Sequence, residues 1–192
     1  MKVELIEYPT EHDWKEVLRR ALITVGKSPL NPPSRTWRYD ILQARHSPIR
    51  RLWFSFLITD CPSWVATHLA RHVHAQPYIR SQRNDRQSDY DRNKAPQDAP
   101  VSMIYDVNAE ELMTIANKRL CGCAARETQE CVYMMCEEVI KVMPVMQDRL
   151  VPMCVENYAC KEMKSCGRKA LWFEWALLKN RNKEKQNEEQ EN

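Results

Sequence analysis

Glycine is nearly missing from this chain. Three glycines in 192 residues exclude the glycine-rich phosphate loop of a Rossmann or P-loop protein. Any nucleotide must therefore be held by side chains and helix ends. No apolar run is long enough to span a bilayer, and the opening MKVELIEYPTEHDW lacks a signal-peptide pattern, so the expected location is the cytoplasm, away from membranes. Charge of one sign is also scarce: a net charge of +3 is too small to argue for nucleic acid by itself. What the chain does have is 43% apolar content, enough for one good core, and eight cysteines. In a cytoplasmic protein those eight are expected as free thiols or metal ligands rather than disulfides.

The segment MKVELIEY alternates apolar and polar residues and predicts a strand. Thr10 or His12–Asp13 then starts a helix, DWKEVLRRALITVG, with Trp14, Val17, Leu18, Ala21 and Leu22 on one face. A proline-rich loop, SPLNPPSRTW, leads to a short helix at Tyr39–Ala44. From Leu52 to Thr59 the chain alternates two sets of mostly apolar residues and predicts a strand with an apolar face on each side. Asn108 is a helix N-cap, with Glu110 and Glu111 in the first turn. A long helix follows over Ala124–Met143, its methionines read as adaptable core. LWFEWALL is a short amphipathic or docking helix, and the charged residues 180–192 form a disordered tail.

The chain is organised around Arg71–Arg83, RHVHAQPYIRSQR. Pro62 is the expected first residue of a helix running through SWVATHLARHVHA to Pro77. Positions 68, 71 and 72 are three and four residues apart, so His68, Arg71 and His72 share a face of it. Arg80, Ser81 and Arg83 follow on an extended polar segment. Forked guanidiniums beside a hydroxyl suit a phosphate with a neighbouring heterocycle. A solvated basic helix end explains the same residues, and by chemistry alone it is slightly preferred.

The pattern RH-V-HAQPYIR-S is similar to the signature of the flavin-dependent thymidylate synthases, Arg-His-Arg, seven residues, then Ser. Arg71, His72 and Ser81 are in register, while Val73 replaces the third Arg and Ile79 a nucleotide-binding Glu. Three further patches follow the family in order. ALITVGK resembles its Ala-Arg-Val-Ser-Tyr-Gly stretch, with Thr24 on a flavin-contacting Ser and Leu22 in place of the Arg. His46, Ser47 and Pro48 match a His-x-Ser-Pro segment in which Arg50 replaces a flavin-side Glu. Asn108, Ala109, Leu112, Met113, Asn117, Arg119, Ala124 and Glu127 match an ungapped run, with Glu110 replacing a flavin-contacting Arg and Thr114 an Asn. RNKAP resembles the family's Arg-x-x-x-Pro and adds Arg92.

The resemblance implies an α/β fold with a central, mostly antiparallel sheet flanked by helices. It also implies a homotetramer with shared active sites that bind FAD and dUMP, with methylenetetrahydrofolate and NADPH as co-substrates. Residues 1–179 form one domain on this reading, shortened between 83 and 92 and extended by a Cys-rich 144–179. His68, Arg71, Ser81, Gln82, Arg83, Arg92 and Arg119 would face the nucleotide. Thr24, Ser47, Arg50, His72, Asn108, Glu110 and Thr114 would face the flavin. Of these, Ser81 (as a hydrogen-bonding positioner), Arg119 and His72 are the expected catalytic residues. The reversals at Arg50 and Glu110 are opposite in sign, which leaves one ion pair between them open.

Cys121, Cys123, Cys154, Cys160 and Cys166 would suffice for a tetrahedral zinc. Their CxC and Cx5C spacings are not the usual knuckles, so they are read as small apolar residues, and no metal ligand is assigned. Two alternatives remain open. One is a divergent member acting on a different nucleotide. The other is a non-catalytic nucleotide- or nucleic-acid-binding protein with a Cys-held zinc.

Overall fold

The computed structural model describes residues 1–86 and 90–168. Four strands, β1 (Lys2–Glu7), β2 (Trp53–Pro62), β3 (Ala75–Ile79) and β4 (Pro100–Asn108), form one antiparallel sheet in the order β1-β2-β4-β3. The helices are α1 (Glu11–Ile23), α2 (Arg35–Gln43), α3 (Ser63–Ala70), α4 (Ala109–Arg119), α5 (Arg126–Val142) and α6 (Met153–Glu156). This is the mixed α/β, antiparallel-sheet architecture that the sequence predicts. Among the described residues no helix is long and apolar enough to cross a membrane. The docking helix read in LWFEWALL and the tail 180–192 lie outside the described residues.

Register decides what each strand buries. Leu5, Phe56, Tyr105 and Pro77 are cross-strand partners in one row, and Phe54 pairs with Val107 in the next. Phe54, Phe56, Ile58, Tyr105 and Val107 are essentially fully buried in the main core cluster, which also holds buried residues of α3, α4 and α5. Removing each such side chain from water contributes roughly 1.5–3 kcal/mol. The opposite face differs from the expectation of two apolar faces for β2. Its row Glu4, Leu57, Ile104 and Tyr78 includes Ile104 at 39% and Tyr78 at 61% exposure. One face of the sheet is packed, and the other carries open apolar side chains.

Two further departures concern the central stretch. The helix expected over Pro62–Ala75 ends at Ala70, and Pro62 is the last residue of β2. Ala75–Ile79 instead pairs with β4. Pairing there satisfies an edge of β4 that a longer helix would leave open. Pro77 is tolerated because β3 is an edge strand. The alternation of Val101, Met103, Tyr105 and Val107, all buried, encodes β4, an element the sequence reading does not contain. α1 and α5 stand close to their expected ranges, and Asp13 accepts both the Thr10 N–H and the Thr10 hydroxyl at the start of α1, each at 2.8 Å.

Candidate functional site

α4 positions most of the site. Asn108 Oδ1 accepts the Glu111 backbone N–H at 3.0 Å, so the expected cap is present. Glu110 and Glu111 lie near the positive end of the helix and Lys118 and Arg119 near the negative end, the favourable placement for each sign.

At the far end of α4, Arg119 is held by two groups from the α3 region. Its Nε donates to His72 Nε2 at 3.2 Å and its Nη2 to the His68 carbonyl at 3.2 Å. The other nitrogen of His72, Nδ1, lies 3.2 Å from Glu111 Oε1. Because Nε2 accepts, the proton sits on Nδ1 and is donated to Glu111, so the neutral ring satisfies both partners. Burial first, and then the Arg119 charge, hold His72 below the ordinary histidine value; Glu111 pulls the other way. Arg119 is itself held down by burial and by the neighbouring charge of Arg71. His68 Nδ1 lies 2.8 Å from the Thr128 hydroxyl on α5. Beneath them, the buried Tyr105 hydroxyl donates to the Leu69 carbonyl at 3.1 Å, and burial pushes its own proton affinity far up.

The structure therefore brings His68, Arg71, His72 and Arg119 together, as the sequence predicts, though the end of α3 and the turn after it supply the first three. Glu111, Tyr105 and Thr128 complete the cluster and are not among the site residues expected from the sequence, where Glu111 stands only as a first-turn charge. Glu111 had a signal: it lies four and eight residues before Ile115 and Arg119, in line with the buried face of α4. The His72 side chain is 11% exposed and both of its ring nitrogens are engaged.

Ser81, Gln82, Arg83 and Arg92 occupy the segment beyond β3. That strand ends at Ile79, paired with Met103, five residues or about 17 Å along β4 from Asn108, the cap of α4. Arg83 donates Nε and Nη2 to the two carboxylate oxygens of Asp85, at 2.9 and 2.6 Å. The Ser81 hydroxyl accepts the Arg83 backbone N–H at 3.3 Å, and the Arg92 N–H donates to Asn84 Oδ1 at 3.0 Å.

The expected flavin side gathers around a second feature. Arg50, on a 3-10 turn over Ser47–Arg51, donates Nε to Glu110 Oε2. The two opposite reversals do meet in one ion pair. Thr114, one turn along α4, donates its hydroxyl to the Glu110 carbonyl at 3.0 Å. Thr24 is exposed at the end of α1 and donates to the Ala21 carbonyl at 2.7 Å, a local helix-end role.

Residues 87–145, the stretch holding β4, α4 and α5, match the family model described as thymidylate synthase complementing protein. A search of curated proteins finds no match. A crystal structure of thymidylate synthase X from Helicobacter pylori with FAD and dUMP is similar at a TM-score of 0.63 and 14% identity, over 78% of this chain and 99% of that one. A UMP/dUMP methylase, PolB from Streptomyces cacaoi, bound with 5-Br dUMP, is similar at a TM-score of 0.59 and 16% identity, over 77% of this chain and 93% of that one. At such identities the structural likeness speaks for the fold. Over β4, α4 and α5 the chain is similar to the thymidylate synthase complementing protein family, and its fold as a whole is similar to that of thymidylate synthase X.

Proposed function

We propose that this chain is an FAD-dependent thymidylate synthase-like enzyme that methylates dUMP, or a closely related pyrimidine nucleotide. On this reading methylenetetrahydrofolate is the one-carbon donor and NADPH the reductant. The observation that carries the reading is the pair of guanidiniums at Arg71 and Arg119. Arg71 is exposed and forms no ion pair among the described residues, yet it stands close enough to Arg119 to lower that residue's proton affinity. Arg119 is aimed by His72 and His68, and its Nη1 makes no hydrogen bond among the described residues. Two neighbouring cations suit a phosphate or the polarised carbonyls of a pyrimidine.

In this reading neutral His72 orients Arg119, and Glu111 holds the His72 tautomer. Arg119 then stabilises negative charge that develops on the pyrimidine carbonyls. Arg71 meets the nucleotide, while Ser81, Gln82, Arg83 and Arg92 approach it from the segment after β3. Ser81 positions the nucleotide by hydrogen bonding.

The residues on the other side fit an FAD. Arg50 commits only its Nε to Glu110 and leaves its Nη groups without a hydrogen bond among the described residues, on a side chain 62% exposed. Ser47, Asn108 and Thr114 add polar groups nearby, and Thr24 would join them. FAD would supply the hydride, and the chain's own residues supply binding and orientation. The exposed row of Ile104 and Tyr78 supports self-association, consistent with a cytoplasmic homotetramer whose sites are shared. The chain functions in this view as one domain over residues 1–179, shortened between 83 and 92.

The test is uptake of FAD by the purified protein, read from its absorption spectrum, followed by dUMP-dependent NADPH oxidation and dTMP formation. Stoichiometric flavin, and loss of dUMP binding in Arg119→Ala with the circular dichroism spectrum unchanged, are expected. Failure to take up FAD would overturn the proposal.

A further inference from the structure

We infer that the chain binds a structural zinc ion through cysteine thiolates where the segment after α5 folds back onto the end of α4. The sulfurs of Cys121, Cys123 and Cys166 lie within 4.8 Å of one another. A tetrahedral zinc with Zn–S bonds of about 2.3 Å sets its sulfurs roughly 3.8 Å apart. The three thiols are therefore about one ångström from ligand spacing. Cys154 and Cys160 line the same cavity as Cys121 and Cys166. Its volume is about 20 Å³, enough for one water-sized body. One of these two thiols supplies the fourth ligand.

Apolar packing does not account for all of these cysteines. Cys61, Cys131 and Cys136 are buried, and apolar packing explains them. Cys123 and Cys160 are exposed, and an exposed thiol gains nothing from packing. Gly122 eases the approach of Cys166, because a Cβ there would lie 3.0 Å from Cδ of Arg168 and 3.2 Å from both Cβ and Sγ of Cys166. Glu162, the carboxylate lining the cavity, is engaged by Lys118 at 3.6 Å, and Lys161 lines the cavity beside it.

The fold gives this ion something to hold. Between Asn157 and Arg168 the described chain contains no helix or strand. Its ties to α4 are few, such as Lys118–Glu162 and the weak Cys123 Sγ contact to the Lys164 carbonyl at 3.4 Å. Four thiolates on one ion would fix that segment, and a closed set of ligands makes the site structural rather than catalytic. Cys121 follows Arg119 by two residues, so the ion would also anchor the end of the helix that carries the candidate anion site. The inference stands independently of the proposed reaction.

The experiment uses the full chain, purified under reductant without chelator and then supplied with Zn²⁺. Metal content and zinc X-ray absorption are expected to give one zinc per chain in a shell of four sulfurs. Cobalt substitution is expected to give a thiolate-to-cobalt charge-transfer band. No tight metal, or a shell without sulfur, would overturn the inference. So would a Cys121–Cys166 disulfide that persists under reductant. Cys166→Ser is expected to weaken zinc binding more than tenfold, and one of Cys154→Ser and Cys160→Ser to do the same. If both of the latter keep full affinity and the sulfur shell, the four-thiolate site is wrong. The wild-type spectroscopy decides the matter even if a variant fails to fold.

Discussion

Arg50 and Glu110 are joined in an ion pair between the 3-10 turn before β2 and the first turn of α4. Each carries the charge opposite to that of the family residue it resembles, so the two reversals preserve local neutrality. Glu110 also raises the proton affinity of Arg50, chiefly through the hydrogen bond. If the pair is the part of the flavin side that must remain neutral, Arg50→Glu and Glu110→Arg should each weaken FAD binding several-fold. The double swap should recover most of the loss. Equal losses in all three variants, measured by FAD titration, would refute a compensating pair.

His72 predicts an acid limit. Unfolded, it takes a proton near pH 6.5; folded, burial and Arg119 hold it lower. The unfolded state therefore binds more protons in that window. The contribution of neutral His72 is complete above about pH 6.5 and is lost as pH falls through the lower folded value. Protonation also places a proton on Nε2, against the Arg119 Nε–H. Both urea stability and dUMP affinity should fall together on acidification. Glu111→Gln removes a charge that raises the His72 value, so it should move this limb to still lower pH. An unchanged acid limb in His72→Asn would show that another group titrates.

Tyr105→Phe isolates a single buried hydrogen bond. The hydroxyl donates to the Leu69 carbonyl at 3.1 Å, which also accepts the His72 backbone N–H at 3.1 Å. The carbonyl keeps a partner when the hydroxyl is removed, so the cost should be near the net value of one bond, about 1 kcal/mol. Urea unfolding at pH 7 measures it. A cost of several kcal/mol would mean that the hydroxyl organises more of the Arg119 surroundings than its one bond suggests.

Local rules were enough where one element decides its own shape. The Thr10 start of α1, the Asn108 cap and the extent of α5 follow from capping and period. The juxtaposition of Arg119 with His68, Arg71 and His72 is instead what the family resemblance implies. The pairing of Ala75–Ile79 was hidden because Pro77 and the helix-like run before it argue against a strand. What overrides them is the open edge of β4, a tertiary partner that local propensity does not contain. Glu111 was read as a favourable first-turn charge, yet its side chain is buried against His72. The thiol cluster was hidden for a similar reason, since Cys123 and Cys166 meet only after the chain folds back across 43 positions.

Asn108 separates a cap from a cofactor contact. Its Oδ1 accepts the Glu111 N–H at 3.0 Å, and the residue is 7% exposed. Asn108→Ala removes the cap and should cost about 1 kcal/mol, within the usual range of roughly 0.5–2. It also loosens the first turn of α4, where Glu110 meets Arg50 and Glu111 meets His72. Asn108→Asp and Asn108→Ser keep a capping oxygen, so they should retain most of the stability. If the cap is the whole role, FAD affinity in the three variants should follow their urea stability. If Asn108→Ser is stable yet loses FAD, the amide nitrogen contacts the cofactor, and the flavin side extends to the foot of α4.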